Sequence, residues 1–206
     1  LPHNSAVGSF GVGDVSYRDH LMSLHLSQFL GQILARPQEV GAILPSSSYL
    51  GREMTDGLGV GTGPVIELGP GPGAITQAIL GRGVPASDIH AVEMNPTFCD
   101  ILARRCPGVR IYPASATDLV ALNLPRVSTI VSSLPLRSIP ADVVLAIMVA
   151  AHDRLLPGGR ILQFTYGMRQ PVASQTLDEL GLACIAGPKV WRNLPPARVF
   201  SFQRGV

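Results

Sequence analysis

The sequence predicts an α/β fold: a seven-stranded, mainly parallel sheet with helices on both faces and a C-terminal antiparallel hairpin. Short apolar runs alternate with helical stretches from residue 64 to residue 180, and strands joined through helices lie parallel in one sheet. A Gly-rich turn, Gly69-Pro-Gly71-Pro-Gly73, joins the first strand to the first helix of that series. The last two apolar runs, 183–191 and 197–203, flank Arg192-Asn-Leu-Pro-Pro196 with no helix between them, so they pair as a hairpin closing one sheet edge.

A chain of 206 residues is long enough for one sizeable core and short for two. Apolar residues make up 46% and charged residues 15%, an apolar excess that points to an apolar partner at the surface. The longest apolar run, Val143 to Ala151, is bounded by Asp142 and His152 and falls short of the roughly 18 residues that span a bilayer. The N-terminus lacks the basic-then-apolar order of a signal peptide, so the sequence reads as cytoplasmic. Cys99, Cys106 and Cys184 have no paired spacing, which argues against disulfides and zinc and for reduced, partly buried thiols. The net charge of +2 includes no long Lys/Arg run, and nothing here calls for nucleic acid.

Residues 1–16 are Gly- and Ser-rich and read as a leader. Met22, Leu26, Phe29, Leu30 and Ile33 recur at helical spacing between Arg18 and Arg36, giving an amphipathic helix that stops at Pro37. A second short helix follows Pro45-Ser-Ser-Ser48 and ends near Gly57. Residues 1–57 thus form an N-terminal leader with amphipathic helices, a lid for membrane or substrate, and 58–206 the core domain. In that domain strands are expected at 64–68, 88–93, 109–112, 127–132, 160–165, 183–191 and 197–203, and helices at 74–81, 96–106, 141–155 and 171–180.

Glycines between a strand and a helix let the backbone turn sharply and lie against a ligand. The bare pattern serves a nucleotide loop and an ordinary tight turn equally. Two carboxylates separate the alternatives. Glu67 ends the strand before Gly69, where it attracts a cationic ligand group, whereas a pyrophosphate site keeps this position free of negative charge. Glu93 lies 20 residues beyond Gly73 at the end of the next strand, where a carboxylate accepts hydrogen bonds from two ribose hydroxyls. Met94 follows it, and Ala114-Ser115-Ala116 after the third strand offers Ser115, Ala116 and the backbone to an adenine edge. Ser132 ends the fourth strand beside the loop. A cationic group, a ribose and an adenine together describe S-adenosylmethionine, and no metal is implied.

The glycine loop and three further motifs together carry a resemblance. The stretch Val65-Ile-Glu-Leu-Gly-Pro-Gly-Pro-Gly-Ala-Ile-Thr76, with Ser133-Leu-Pro-Leu136, Gln163-Phe-Thr-Tyr-Gly167 and Val190-Trp-Arg-Asn-Leu-Pro-Pro-Ala197, resembles the bacterial phospholipid N-methyltransferases and the related ornithine-lipid N-methyltransferases. Pro37 to Leu50 belongs to the same resemblance, which covers roughly residues 29–203. It implies a Rossmann-like seven-stranded methyltransferase sheet, S-adenosylmethionine as cofactor, and stepwise methylation of phosphatidylethanolamine towards phosphatidylcholine by a monomer held peripherally at the inner membrane. Many members carry an acidic residue where this chain has Ser115. The ribosomal RNA adenine dimethyltransferases share the cofactor core, but their acceptor motif begins with Asn and ends with an aromatic, and Ser132-Ser-Leu-Pro-Leu136 has neither.

Methyl transfer to nitrogen requires an aligned, unprotonated amine. Tyr166, at the end of the strand 160–165, is the first choice to contact the amine, and Tyr17 and Tyr49 in the N-terminal segment can close over the site. Ser133 and Leu134 lie where the acceptor approaches. Arg192 in the hairpin turn suits a lipid phosphate, with Asn193 holding the turn. His152 reads as structural. The helix 18–36, apolar on one face and cationic at its ends, suits an anionic membrane surface.

Overall fold

The computed structural model describes residues 48–166, 169–193 and 195–206. Tyr17, the leader and the helix expected at 18–36 lie outside the described residues. The elements in chain order are α1 (Ser48–Met54), β1 (Val65–Leu68), α2 (Ala74–Gly81), β2 (Ile89–Glu93), α3 (Pro96–Arg105), β3 (Arg110–Pro113), β4 (Val127–Ser132), α4 (Ala141–Arg154), β5 (Leu155–Tyr166), α5 (Ser174–Glu179), β6 (Leu182–Val190) and β7 (Ala197–Arg204).

The seven strands form one sheet in the order β3-β2-β1-β4-β5-β7-β6. The first five are parallel, with Val65 opposite both Ile89 and Thr129, and β7 runs antiparallel between β5 and β6. Every residue of β1 and β2 is buried, Glu67, His90 and Glu93 included, as expected of strands covered on both faces.

Alternate residues send their side chains to opposite layers. Ile66, Leu68, Val92, Ile130, Ile161, Phe200 and Phe202 join one core with Val143, Val144, Ile147 and Met148 of α4. Val65, Ile89, Val131, Leu162 and Val199 face the other layer, where Leu50 and Met54 of α1 meet Ile75 and Ile79 of α2. Helix α1, which the sequence division assigns to the N-terminal segment, is thus packed into the sheet's own core.

Local chemistry sets the helix starts. Asn95 accepts from the Thr97 and Phe98 amides at 2.9 and 3.4 Å, and Pro96 occupies the first turn of α3. At its other end α4 is capped by Arg204, which donates to the His152 and Leu155 carbonyls at 3.2 and 2.7 Å, as a cation at a helix C-terminus should.

Three expectations need correction. Strand β5 starts at Leu155, not 160: Pro157-Gly-Gly159 reads as a turn, yet Gly158 donates to the Gly205 carbonyl at 3.0 Å, and Leu155 pairs with Val127 across a register shift. Helix α5 spans Ser174–Glu179 rather than 171–180, because Ala173 keeps an extended backbone at its N-cap. The cysteines differ: Cys99 and Cys106 are buried, whereas Cys184 is exposed on the edge strand β6. Among the described residues no helix is long and apolar enough to cross a membrane.

Candidate active site

In a parallel sheet the crevice opens at the carboxyl ends of the strands where their order reverses. Here that point lies between β1 and β4, and an open cleft of about 560 Å³, including the solvent at its mouth, occupies it. Its walls come from the β1–α2 loop (Gly69, Gly71), the end of β2 (Val92, Glu93, Met94), the segment after β3 (Ala114, Ser115, Ala116), the segment after β4 (Ser133, Leu134, Pro135) and Ile147 of α4.

The three loop glycines all have positive φ, at 64°, 54° and 91°, and do different work. A Cβ on Gly69 would stand 2.7 Å from Leu134 Cδ2, and one on Gly73 would stand 2.8 Å from Leu102 Cδ1. Those two glycines admit close packing. A Cβ on Gly71 would meet nothing within 4 Å, so there the open space belongs to the cleft.

Glu93, only 4% exposed, fixes this loop. Its Oε2 accepts from the Gly71 amide at 3.0 Å and its Oε1 from the Asn95 amide at 2.8 Å. Burial raises its pKa, and the backbone donors Asn95, Gly71 and Met94 oppose that shift. A carboxylate offers about four acceptor positions, so beyond its backbone donors the group that holds the loop keeps acceptor capacity toward the cleft.

Glu67 stands differently. It is fully buried behind the loop, accepts from Thr76 Oγ1 at 2.7 Å through Oε2, and leaves Oε1 unpartnered. Burial pushes its pKa up to about 8, the Thr76 hydroxyl moderates the shift, and the charge on Glu93 adds to it. At neutral pH it is mostly a neutral carboxyl. Glu67, Gly73 and Ser132 do not line the cleft, whereas Gly69, Gly71, Glu93, Met94, Ser115 and Ala116 do. Ser115 accepts from the Thr117 amide and hydroxyl at 3.3 and 2.8 Å, shaping the turn at the cleft floor.

The acceptor-side residues form two groups. Ser133 and Leu134 sit on the cleft wall, and the Leu134 carbonyl is held by Gln163 Nε2 at 3.0 Å. Tyr166, Tyr49, Arg192 and Asn193 gather at the hairpin turn. Arg192 Nη1 donates to Tyr49 Oη at 2.6 Å, Asn193 bonds the Tyr166 hydroxyl and donates to the Pro195 carbonyl at 2.8 Å. Burial raises the Tyr166 pKa, so its phenol stays protonated at neutral pH. His152 contributes its carbonyl to the Arg204 cap and lies away from the cleft walls.

Sequence reasoning missed Val92, Ile147 and Gln163. Val92 and Ile147 look like any core residue in their elements, and a lone Gln in a strand carries no spacing signal.

No protein-family model matches the chain. An ornithine lipid N-methyltransferase from Singulisphaera acidiphila is 27% identical over 188 residues, covering 86% of this chain and 95% of that protein. A probable ribosomal RNA small subunit methyltransferase A from Pyrobaculum islandicum is 27% identical over 141 residues, 66% of this chain and 55% of that protein, so this chain spans about half its length. Among solved structures, a Burkholderia thailandensis 1,6-didemethyltoxoflavin-N1-methyltransferase with bound S-adenosylhomocysteine superposes with a TM-score of 0.63 at 16% identity, over 97% of this chain and 94% of that one. The fold is therefore that of the class I S-adenosylmethionine-dependent methyltransferases, a Rossmann-like seven-stranded sheet ending in an antiparallel hairpin.

Proposed function

We propose that this chain is an S-adenosylmethionine-dependent N-methyltransferase whose acceptor is the amine of a lipid headgroup. The observation that carries the lipid assignment is the similarity to the Singulisphaera ornithine lipid N-methyltransferase along almost the whole of both chains. Phosphatidylethanolamine, methylated stepwise towards phosphatidylcholine, is the acceptor expected from the motifs. Ornithine lipid is the second reading, favoured by that relative's own substrate.

The residues fit the cofactor. Glu93 keeps acceptor capacity for a ribose hydroxyl while its other contacts hold the loop. Gly71 leaves the backbone open to the ligand, Met94, Ser115 and Ala116 line the part of the cleft suited to adenine, and the unpartnered Oε1 of Glu67, behind the loop, supplies an acceptor reached by an ammonium through water. When bound, S-adenosylmethionine supplies an activated methyl group on a sulfonium.

On the acceptor side, Ser133 and Leu134 flank the approach and Gln163 fixes their backbone. Tyr166 orients the amine through its hydroxyl, and its raised pKa makes it a hydrogen-bonding partner rather than the base. The headgroup ammonium passes its proton to water or to the lipid phosphate. Arg192 contacts that phosphate, with Tyr49 and Asn193 fixing the turn. The segment 18–36, with its apolar face and cationic ends, is the expected contact with an anionic membrane surface, and the protein acts as a monomer at the cytoplasmic face of the inner membrane.

Labelled cofactor incubated separately with phosphatidylethanolamine, ornithine lipid and ribosomal RNA tests this. Label is expected in a lipid extract, and mass spectrometry of lipids from a bacterium lacking phosphatidylcholine, after expression of the chain, identifies which. Label found in RNA alone would overturn the reading.

A further inference from the structure

Resting on the aminolipid reading, we propose that the turn between β6 and β7, together with α1 beside it, docks onto an anionic lipid bilayer with Trp191 entering the headgroup interface. Trp191 is the chain's one tryptophan, and it is 68% exposed. A large amphipathic ring left in water, beside a sheet whose core has ample apolar residues, marks a contact surface.

Its surroundings name the partner. Lys189 Nζ lies 4.8 Å from the Trp191 ring centre, and the guanidinium groups of Arg52 and Arg192 lie 5.2 and 5.1 Å from that of Tyr49. Two aromatic rings thus carry three cations, and among the described residues no carboxylate pairs with any of the three. From Leu182 to Val206 the chain holds no Asp or Glu, and Lys189 and Arg198, opposite one another, lie with Arg192 at the turn end of the hairpin. Aromatic rings at headgroup depth, ringed by unpaired cations, match an anionic bilayer surface.

The register fixes where this surface sits. Tyr166 at the end of β5 lies opposite Ala197 at the start of β7, and Ala197 lies opposite Val190 at the end of β6. The turn therefore stands on the same rim as the carboxyl ends of the parallel strands, from which the cleft is built. Docking here brings the cleft mouth to the headgroup layer, independently of residues 18–36.

Because Trp191 is the sole tryptophan, its fluorescence reports this contact without labelling. The full chain is titrated with phosphatidylglycerol-rich vesicles, with phosphatidylcholine vesicles and with single-stranded RNA. Expected are a blue shift and quenching by brominated acyl chains on the phosphatidylglycerol vesicles, weakened by salt. Lys189→Glu should weaken binding by about fivefold or more. Trp191→Ala should lose turnover on vesicles and keep it on aminolipid dispersed in detergent.

Vesicle binding with unchanged Trp191 emission overturns the proposal, as does a larger response to RNA at the same salt, or a concentration-dependent blue shift without lipid, which would mark self-association. Methylation of dispersed aminolipid without any vesicle-induced shift refutes the docking surface and leaves the acceptor reading intact. A vesicle-induced shift with no methylation of any aminolipid upholds docking and refutes the acceptor reading instead.

Discussion

Glu67 and Glu93 are carboxylates on adjacent strands that burial drives in the same direction and hydrogen bonding separates. Glu93 receives two backbone amides and remains on the cleft wall; Glu67 receives one hydroxyl and is fully buried. Glu93→Gln puts an amide donor against either the Gly71 or the Asn95 N–H and should weaken S-adenosylmethionine binding by about 10- to 100-fold, since hydrogen bonds to a charged group contribute about 1.5–3 kcal/mol. Titration calorimetry measures it, and an unchanged affinity would remove Glu93 from the site. For Glu67 the pKa rises from 4.5 to about 8, so the folded chain holds a proton that the unfolded chain releases. Its contribution to stability is full below pH 4.5 and is lost as the pH rises to about 8, at about 1.4 kcal/mol per pH unit within that window. Glu67→Gln, permanently neutral, should flatten the fall in urea-unfolding free energy between pH 5 and pH 8. A cofactor ammonium placed against Glu67 would pull its pKa down, so cofactor binding near pH 7 should release a proton. Calorimetry in buffers of different ionisation enthalpy detects that release, and Glu67→Gln should abolish it.

The β1–α2 loop makes one prediction by contrast. Gly71→Ala places its methyl in open space and costs the fold only the left-handed backbone, about 1–2 kcal/mol, while obstructing the ligand. Gly73→Ala adds to the same backbone strain a contact with Leu102 at 2.8 Å and should lower stability by about 1–3 kcal/mol more. Thermal melts with and without cofactor separate the two: Gly71→Ala should lose most of the cofactor-induced rise in Tm, and Gly73→Ala should lose Tm in both conditions. How legible the elements were follows from the same local chemistry. Strands β1, β2 and β4 lie within a residue of their expected bounds because each is a short run carrying Val and Ile that gives way to a loop segment, Gly69-Pro-Gly71 after β1, Asn95-Pro96 near the end of β2 and Ser133-Leu-Pro135 after β4. The start of β5 was hidden because its partners, Val127 and Gly205, are far away in sequence while its own residues spell a turn. Glu93 was legible from its spacing to the glycines. Ile147 was not, since all six buried residues of α4 look alike until the sheet decides which one reaches the cleft. The proton on Glu67 was hidden too, because it depends on complete burial that no spacing reveals.

At the scale of the whole molecule the C-terminal hairpin is part of the core. Phe202 is fully buried between the layers, opposite Ile161 and Cys184. Phe202→Ala should cost about 3–5 kcal/mol, read as a lower urea midpoint. The edge strand beyond it leaves Cys184 exposed while Cys99 and Cys106 are buried, so a thiol reagent should modify one cysteine quickly and the other two only on unfolding. The sheet order also has a kinetic meaning. The central pair joins Val65 to Thr129, so the chain must close a long loop before the two strands flanking the cleft can meet, whereas β6 and β7 meet across a short turn. Loop closure of that kind slows folding. In a refolding experiment hairpin contacts should form early and ligand binding should appear last, making cofactor capture a clock for the final topological step.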